Sequence, residues 1–375
     1  MEGEDTVPTT TDATAFRISR TSTPLSPAER EKRMTAPGFG RVLTEHMVSG
    51  RWAKGQGWHD LRLSPYGPLE MDPATAALHY GQIVFEGLKA HRLHDGSVGV
   101  FRPHAHARRF QRSARRLVMP EMDTGMFVRS LEELVRADRA WVPDQTGHSL
   151  YLRPVLYAEE AVLALRPAYE YRFLLMAFVT EGFFNDDLNP VTVWVSTRFA
   201  RAARGGTGDV KIPGNYAGAF AAQVEAAEHG CHQVVWLDSI ERRWVEEMGG
   251  MNLFFVHGRG AGTRLTTPPL TGTLLPGVTR DALLTLLPEH GLPVEEVPLA
   301  IDDWQELCAS GEITEVFACG TAAGVTPVGT VRSAETRWDV ADGNAGPVTR
   351  RVAELLAAVR HGSLPERHGW MHRVT

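Results

Sequence analysis

The 375-residue sequence predicts a mixed α/β (α+β) protein of two domains. Three observations carry that expectation. Strand-length apolar runs recur along the chain, as in SLYLRPVLYA (149–158), YRFLLMAFVT (171–180), VTVWVST (191–197) and HQVVWLD (232–238). Segments of helical period lie between and beyond them, as in HAHARRFQRSARRLV (104–118), where Phe110, Ala114, Leu117 and Val118 form the apolar stripe. Finally, GFFNDDLNP (182–190) concentrates turn formers at mid-chain, in a sequence long enough for two cores.

In chain order, residues 1–36 are expected to be a flexible N-terminal arm, rich in Thr, Ser, Pro and charge over the first 26 positions. A smaller α/β domain follows over 37–182, with LRLSPYGPLEM read as strand and turn and SVGVFRP as a strand. Residues 183–192 connect it to a larger domain, 193–375, expected to carry more strand. There NYAGAFAAQVEAAEHG reads as an alanine-rich helix ended by Gly230. RRWVEEMGGMNLFFVHG reads as a strand pair, and LTGTLLPGVTRDALLTLL as a turn opening a helix. EITEVFACGTAAGVTPVGTVR reads as strand, turn and strand, and VTRRVAELLAAV as a closing helix. No internal repeat is visible.

A net charge of −6 and a pI near 6.2 argue against a general nucleic-acid binder. The acidic, polar start MEGEDTVPTT lacks the pattern of a secretory signal, and the apolar run 173–179 is too short to cross a bilayer, so no membrane partner is expected. Cys231, Cys308 and Cys319 have no C-x-x-C spacing, which predicts no disulfide framework, no metal site and a reduced, cytoplasmic setting.

The chemistry centres on GGTGDVKIPGNYAG (205–218). Lys211 is one of only four lysines among 39 cationic side chains, in a glycine-rich turn. A phosphate-binding P-loop needs glycine before the lysine and Ser or Thr after it, whereas Val210 and Ile212 stand there. A solvated loop lysine and a Schiff-base lysine both fit the local pattern. Only lysine serves the second, because arginine stays protonated and an amine must lose its proton to condense with an aldehyde. On that reading the glycines leave room for a bulky cofactor.

A lysine-bound pyridoxal 5'-phosphate needs further parts. Glu247, at a strand end in WVEEMGGMN, is a carboxylate for a pyridinium nitrogen, or else a solvated edge charge. Gly277, Val278 and Thr279 open a helix in LLPGVTRDALL and suit an anion, or else form a plain cap. Thr321 in CGTAAG offers a second turn with free amides, and Tyr216 is near enough to Lys211 to bind a phenolic oxygen. In the basic stretch ARRFQRSARRL most arginines are expected on the surface, with one available to a phosphate; the histidines of HAH (104–106) are expected on the surface or at a cap.

Taken together, HYGQIVFEGLKA, LYLRP, GGTGDVK…GNY, EEMGGMN, LLPGVTR and EVFACGTAA, in this order from about residue 37 onward, resemble the branched-chain-amino-acid aminotransferases. These are class IV aminotransferases of pyridoxal-phosphate fold type IV, a D-amino-acid-aminotransferase-like fold with the cofactor between two domains. The resemblance implies that Lys211 binds the cofactor covalently and moves the substrate proton. It implies Glu247 at the pyridine nitrogen, Tyr216 at the phenolic oxygen, and Arg109 with Gly277, Val278, Thr279 and Thr321 at the phosphate. The amides at Ala322 and Ala323 are implied to take the substrate carboxylate, with Phe85, Tyr151, Arg153, Phe183 and Gly250 around the pocket. Tyr80, Leu163 and Leu165 match positions that reach the neighbouring subunit's site, implying a homodimer with a shared active-site lid. The implied reaction is two-step transamination between leucine, isoleucine or valine and 2-oxoglutarate, with glutamate as the other amino acid, as in branched-chain amino-acid biosynthesis.

The sequence also departs from that family. Pro213 and Gly214 follow Ile212 where two glycines are usual, and proline removes an N–H beside the lysine. The lid segment Glu159-Glu160-Ala161-Val162-Leu163-Ala164-Leu165 lacks the usual proline and glycine and carries an extra carboxylate. Phe183 replaces a tyrosine, and the C-x-x-C pair of some members is absent after Thr321. An aminotransferase of secondary metabolism using a modified branched or aromatic amino acid would also fit the altered lid. D-amino-acid aminotransferases and aminodeoxychorismate lyases share the fold, but the long region before HYGQIVFEGLKA and the EEMGGMN form favour the branched-chain group. A non-catalytic protein of the same fold is opposed by the intact Lys211, Glu247, Tyr216 and Arg109.

Overall fold

Each long apolar run of the sequence becomes a strand, and the strands gather into two sheets. The computed structural model describes residues 16–145, 147–181, 188–364 and 367–375. The first sheet is built from β1 (Arg17–Ile18), β2 (Val42–Leu43), β3 (His46–Ala53), β4 (Gly57–Pro65), β5 (Ile83–Phe85), β6 (Leu88–Arg92), β7 (Val98–Phe101), β8 (Ser149–Ala158) and β9 (Glu170–Thr180). Its backbone is the antiparallel pair β8–β9, in register from Ser149 opposite Thr180 to Ala158 opposite Tyr171. Leu150, Leu152, Leu156, Phe173, Leu175 and Val179 of that pair are fully buried. Full burial of such side chains is the main stabilising term, about 1.5–3 kcal/mol each before entropy is counted.

The second sheet contains β10 (Val191–Ser196), β11 (Gln233–Leu237), β12 (Val245–Met248), β13 (Met251–His257), β14 (Arg264–Thr267), β15 (Val294–Glu296), β16 (Ile313–Gly320), β17 (Gly324–Arg332) and β18 (Arg337–Asp339). In the order β12-β11-β10-β17-β16-β13, the β12–β13 pairing closes the strands on themselves, which removes the edges such a sheet would otherwise expose. The chain then returns as β19 (Met371–Val374), antiparallel to β7 of the first sheet.

The helices are α1 (Pro27–Met34), α2 (Ala76–Tyr80), α3 (Pro103–Arg116), α4 (Thr124–Ala137), α5 (Pro213–Ala217), α6 (Phe220–Glu228), α7 (Val278–Glu289), α8 (Ile301–Ala309) and α9 (Pro347–Arg360). On α3, Ala107, Phe110 and Ala114 face the first core, while His106, Arg109 and Ser113 are buried on a neighbouring stripe. Two residues from the second half, Val210 and Ile212, are also part of that core. The lysine segment is therefore wedged against the first sheet although it belongs to the second half of the chain.

Several expectations are corrected. The arm is structured from residue 16: β1 pairs parallel with β4, and α1 carries a capping box between Ser26 and Glu29. A short apolar complement, Phe16, Leu25 and Met34, packs this arm on the core despite its polar composition. The C-terminal boundary fails in part, because β19 belongs to the first sheet. Strand is not concentrated in the second half either; β3 was missed and β4 was read only from Leu61 onward, because the Trp, His and Arg positions there blur the alternation. Residues 215–230 form two helices, α5 and α6, with Gly218 and Ala219 between them. Val118 is exposed with φ +54°, just past the end of α3, so it belongs to a turn and not to the stripe. Half of the proposed connection, 183–187, lies outside the described residues.

Candidate active site

A cavity of about 680 Å³ opens between the two sheets, with Lys211 in its wall. The backbone of Lys211 is fixed at both polar groups. Its N–H donates to Ser113 Oγ at 3.0 Å, and its carbonyl accepts from Phe85 N–H at 3.1 Å. The Ser113 hydroxyl in turn donates to the carbonyl of Arg109. The side chain is thereby aimed from a rigid strut, the arrangement that a reacting group needs. Lys211 Nζ donates to Tyr216 Oη at 2.7 Å and lies 4.9 Å from the Phe85 ring centroid.

The loop before the lysine is tied by Asn215, whose Nδ2 donates to the carbonyls of Thr207 and Val210 while Oδ1 accepts from Thr207 Oγ1. The glycines there serve chain packing, which corrects their reading as cofactor clearance. Gly205 has φ +76°, a Cβ on Gly208 would overlap the Thr273 carbonyl, and neither glycine lines the cavity. Pro213, unlike those glycines, lines the cavity, but its effect on the backbone is local. It occupies the first position of α5, where the missing N–H leaves no bond unmade, and Ile212 before it is extended (φ −124°, ψ 147°). Pro213→Gly is expected to lower unfolding stability by about 0.4–1 kcal/mol through the unfolded chain's entropy. Denaturant unfolding reads this directly, and kcat should stay near that of the parent.

Glu247, at the end of β12, is 1% exposed. The Gly249-Gly250 turn sets Asn252 across from it, and Asn252 Nδ2 donates to Glu247 Oε1 at 3.2 Å. Leu275 N–H donates to the same oxygen at 2.7 Å. Arg201 Nε lies 2.9 Å from Oε2, but no aligned hydrogen bond reaches Oε2. Burial pushes the carboxyl pKa up, against the opposite pull of Arg201 and the Leu275 amide. A buried carboxylate oxygen so placed fits a cationic N–H donor.

A second corner suits an anion. Gly277, Val278 and Thr279 lie at the start of α7, where helix amides are unpaired by other amides and the dipole is positive. Arg109 reaches this corner from α3, with Nη1 donating to the Pro276 carbonyl at 3.3 Å. Its Nε and Nη2 form a two-pronged bond to Glu86 at 2.6 and 2.8 Å, and His106 Nδ1 lies 2.9 Å from the same carboxylate. Burial works to raise the Glu86 pKa, yet the charge and hydrogen bonds of Arg109 and the contact with His106 hold it far below the usual carboxylate range. Burial keeps His106 below its ordinary pKa despite Glu86. His106 thus corrects the expectation of a surface histidine, whereas His104, Arg108, Arg115 and Arg116 are exposed as expected.

Glu86→Gln leaves Arg109 buried without its counter-charge and is expected to cost about 3–5 kcal/mol of unfolding stability at neutral pH. Because the folded-state pKa is depressed, the contribution is present above the ordinary carboxylate range and is lost as pH falls below it. The gap between parent and variant should therefore shrink on acidification, as measured by urea unfolding across the acid range.

The other sequence candidates divide clearly. Phe85, Tyr151, Arg153, Gly250, Thr321, Ala322 and Ala323 all line the same cavity as Lys211, Tyr216, Arg109 and the Gly277–Thr279 segment. The guanidinium of Arg153 sits 5.1 Å from the Phe85 centroid and 5.4 Å from that of Tyr151. Tyr80, Leu163 and Leu165 are exposed and do not line the cavity of their own chain; Tyr80 Oη donates to the Leu163 carbonyl at 2.6 Å. Phe183 lies outside the described residues. In the lid segment, the extra carboxylate Glu159 pairs with Arg172 and Arg51, and Glu160 pairs with Arg166 at 2.6 Å.

Sequence reasoning missed Glu86, Ser113, Arg201 and Asn252, and also Lys89, whose Nζ donates to the Ala322 carbonyl at 3.1 Å. Glu86 and Lys89 had a signal, as charges inside the apolar run IVFEGLKA. Arg201 had none: it also donates to the carbonyls of Gly208 and Thr273, contacts that only the folded chain creates.

Comparisons with known proteins agree with this geometry. Residues 83–331 match the model of the amino-transferase class IV family. A branched-chain-amino-acid aminotransferase from Mycobacterium tuberculosis is 51% identical over 366 residues, covering 97% of this chain and 100% of the relative. A probable branched-chain-amino-acid aminotransferase from Streptomyces coelicolor is 50% identical, covering 94% of this chain and 96% of the relative. Among solved structures, the branched-chain amino acid aminotransferase of Escherichia coli superimposes with a TM-score of 0.72 at 27% identity, over 88% of this chain and 100% of that one. The branched-chain amino acid aminotransferase from Thermoproteus uzoniensis, solved with norvaline, gives 0.70 at 25% identity, over 88% of this chain and 100% of that one.

Proposed function

Because this chain belongs to the amino-transferase class IV family, we infer that it is a pyridoxal-phosphate-dependent branched-chain-amino-acid transaminase, exchanging amino groups between leucine, isoleucine or valine and 2-oxoglutarate. The single observation that carries this is the joint placement around one cavity of Lys211, the α7 start, and Arg201, Asn252 and Leu275, the three residues that hold Glu247 directly behind its wall. The unbonded Glu247 Oε2 fits a pyridine N–H, the Tyr216 hydroxyl fits a phenolic oxygen, and Arg109 with Gly277, Val278, Thr279 and Thr321 fits a phosphate. When bound, pyridoxal phosphate supplies an electron sink for the pair released at the substrate Cα.

The chain's own residues supply the rest. Lys211 Nζ would be the base that takes the Cα proton and, once protonated, the acid that hands it on away from Cα, and its fixed backbone keeps that amine in reach. Glu247 holds positive charge at the far end of the site, secured by Asn252, Leu275 and Arg201. The turn amides at Ala322 and Ala323 receive the substrate carboxylate, with Lys89 fixing the Ala322 carbonyl. Phe85, Tyr151 and Gly250 enclose the side chain, while Arg153 supplies a charge for the γ-carboxylate of the alternate substrate. The two half-reactions share one pocket, in a two-step ping-pong sequence. Because arginines hold both lid carboxylates, the altered lid adds no unpaired acid opposed to an apolar donor.

The exposed group of Tyr80, Leu163 and Leu165 supports a homodimer in which these residues complete the partner's site. Among the described residues no helix is long and apolar enough to cross a membrane, and a cytoplasmic location is consistent with that. A panel of L-amino acids assayed with 2-oxoglutarate tests the substrate assignment. Leucine, isoleucine and valine should give the highest kcat/KM; uniformly poor turnover of all three beside a good aromatic donor would remove the branched-chain assignment.

A further inference from the structure

Behind the anion-binding corner lies a cation that the reaction described above does not use. Arg360 ends α9 and is 8% exposed. Its Nη2 donates to Thr279 Oγ1 at 3.2 Å, and its guanidinium lies 5.5 Å from the Phe101 centroid. A Cβ on Gly324, at the end of the 320–324 turn, would lie 3.9 Å from Nη1. The guanidinium therefore sits between the two segments that flank the corner, the start of α7 and the turn holding Thr321.

Arg109 and Arg360 make an instructive contrast. Arg109 is neutralised by Glu86, so the pair adds little net charge to the corner. Arg360 forms no ion pair with any carboxylate among the described residues; hydroxyl and aromatic contacts are what it has. Burial pushes its pKa down to about 10, with only the Cys319 thiol acting in the other direction. An uncompensated buried charge is destabilising by several kcal/mol, so a fold that keeps one gains by placing an anion beside it. The hydroxyl geometry agrees. Threonine has one O–H donor and two acceptor lone pairs, and a guanidinium N–H can only donate.

We propose that Arg360 is a positioning residue for the cofactor phosphate: by donating to Thr279 Oγ1 it leaves the Thr279 proton free to be donated into the cavity, and its charge balances that of the phosphate. The assignment rests on the pyridoxal-phosphate reading of this cavity.

The test uses the full-length chain freed of cofactor, as wild type, Arg360→Met, Arg360→Lys, Thr279→Val and the Arg360→Met/Thr279→Val double variant. Each is titrated with pyridoxal phosphate by visible absorbance, and thermal unfolding is followed with and without inorganic phosphate. Arg360→Met should bind pyridoxal phosphate about tenfold or more weakly. Without cofactor it should unfold no earlier than wild type, and phosphate should protect it less. Arg360→Lys should recover part of the affinity, and the loss from Arg360→Met should be smaller once the Thr279 hydroxyl is gone. Wild-type affinity in Arg360→Met, or an affinity loss that is the same with and without the hydroxyl, overturns the assignment. A wild type that takes up no pyridoxal phosphate overturns the cavity reading, and this assignment with it.

Discussion

Lys211→Ala should lower kcat by about ten-thousandfold or more, since acid–base and covalent roles converge on the one amine. The fold should survive the change. The bonds that hold this segment run through its backbone, to Ser113 and Phe85, and the flanking Val210 and Ile212 remain in the first core. Unfolding curves should therefore stay close to those of the parent while turnover of leucine with 2-oxoglutarate disappears. Lys211→Arg sharpens the interpretation. It keeps a positive charge beside Tyr216 but cannot release a proton at working pH, so it should be as inactive as the alanine variant. Substantial activity in the arginine variant would mean that charge, and not amine chemistry, is what position 211 supplies.

Glu247→Gln should lower kcat by about a hundredfold to a thousandfold, the usual range for removing one preorganised electrostatic partner. Glutamine keeps the shape and can still accept from Leu275 N–H and Asn252 Nδ2. What it loses is the charge facing the pyridine end of the site, and Arg201 Nε is left beside a neutral group. The effect should fall on kcat more than on the KM for the amino acid, because the contact lies at the cofactor and not at the substrate. Steady-state kinetics with leucine at saturating pyridoxal phosphate separates the two; a change confined to KM would remove Glu247 from its assigned place.

The long strands were legible because burial demands apolar runs: β8 was read over the same ten residues it occupies, and β9 and β10 to within a residue. The arm was misread because its few apolar anchors, Phe16, Leu25 and Met34, are diluted by Thr, Ser and Pro. The cavity-lining residues were legible through motif order. Their supporting residues were less so. Asn252 was within reach, because a Gly-Gly turn between short strands sets residue 252 against 247. Arg201, Ser113 and Arg360 were not, since each acts across a distance in sequence that no local pattern encodes. Pro213, the oddest residue by comparison with the family, proves ordinary: the first position of a helix needs no N–H.

If Lys211 carries an amino-group transfer, the reaction must stop halfway without a second substrate. The decisive measurement mixes the pyridoxal-phosphate-loaded protein with L-leucine in the absence of any 2-oxo acid, following the visible absorbance and the oxo acid released. The expected result is one 2-oxo acid per cofactor-loaded subunit, a matching loss of visible absorbance, and recovery of that absorbance when 2-oxoglutarate is added. Release of no oxo acid, release that continues well past one equivalent, or the same result from Lys211→Ala would contradict it.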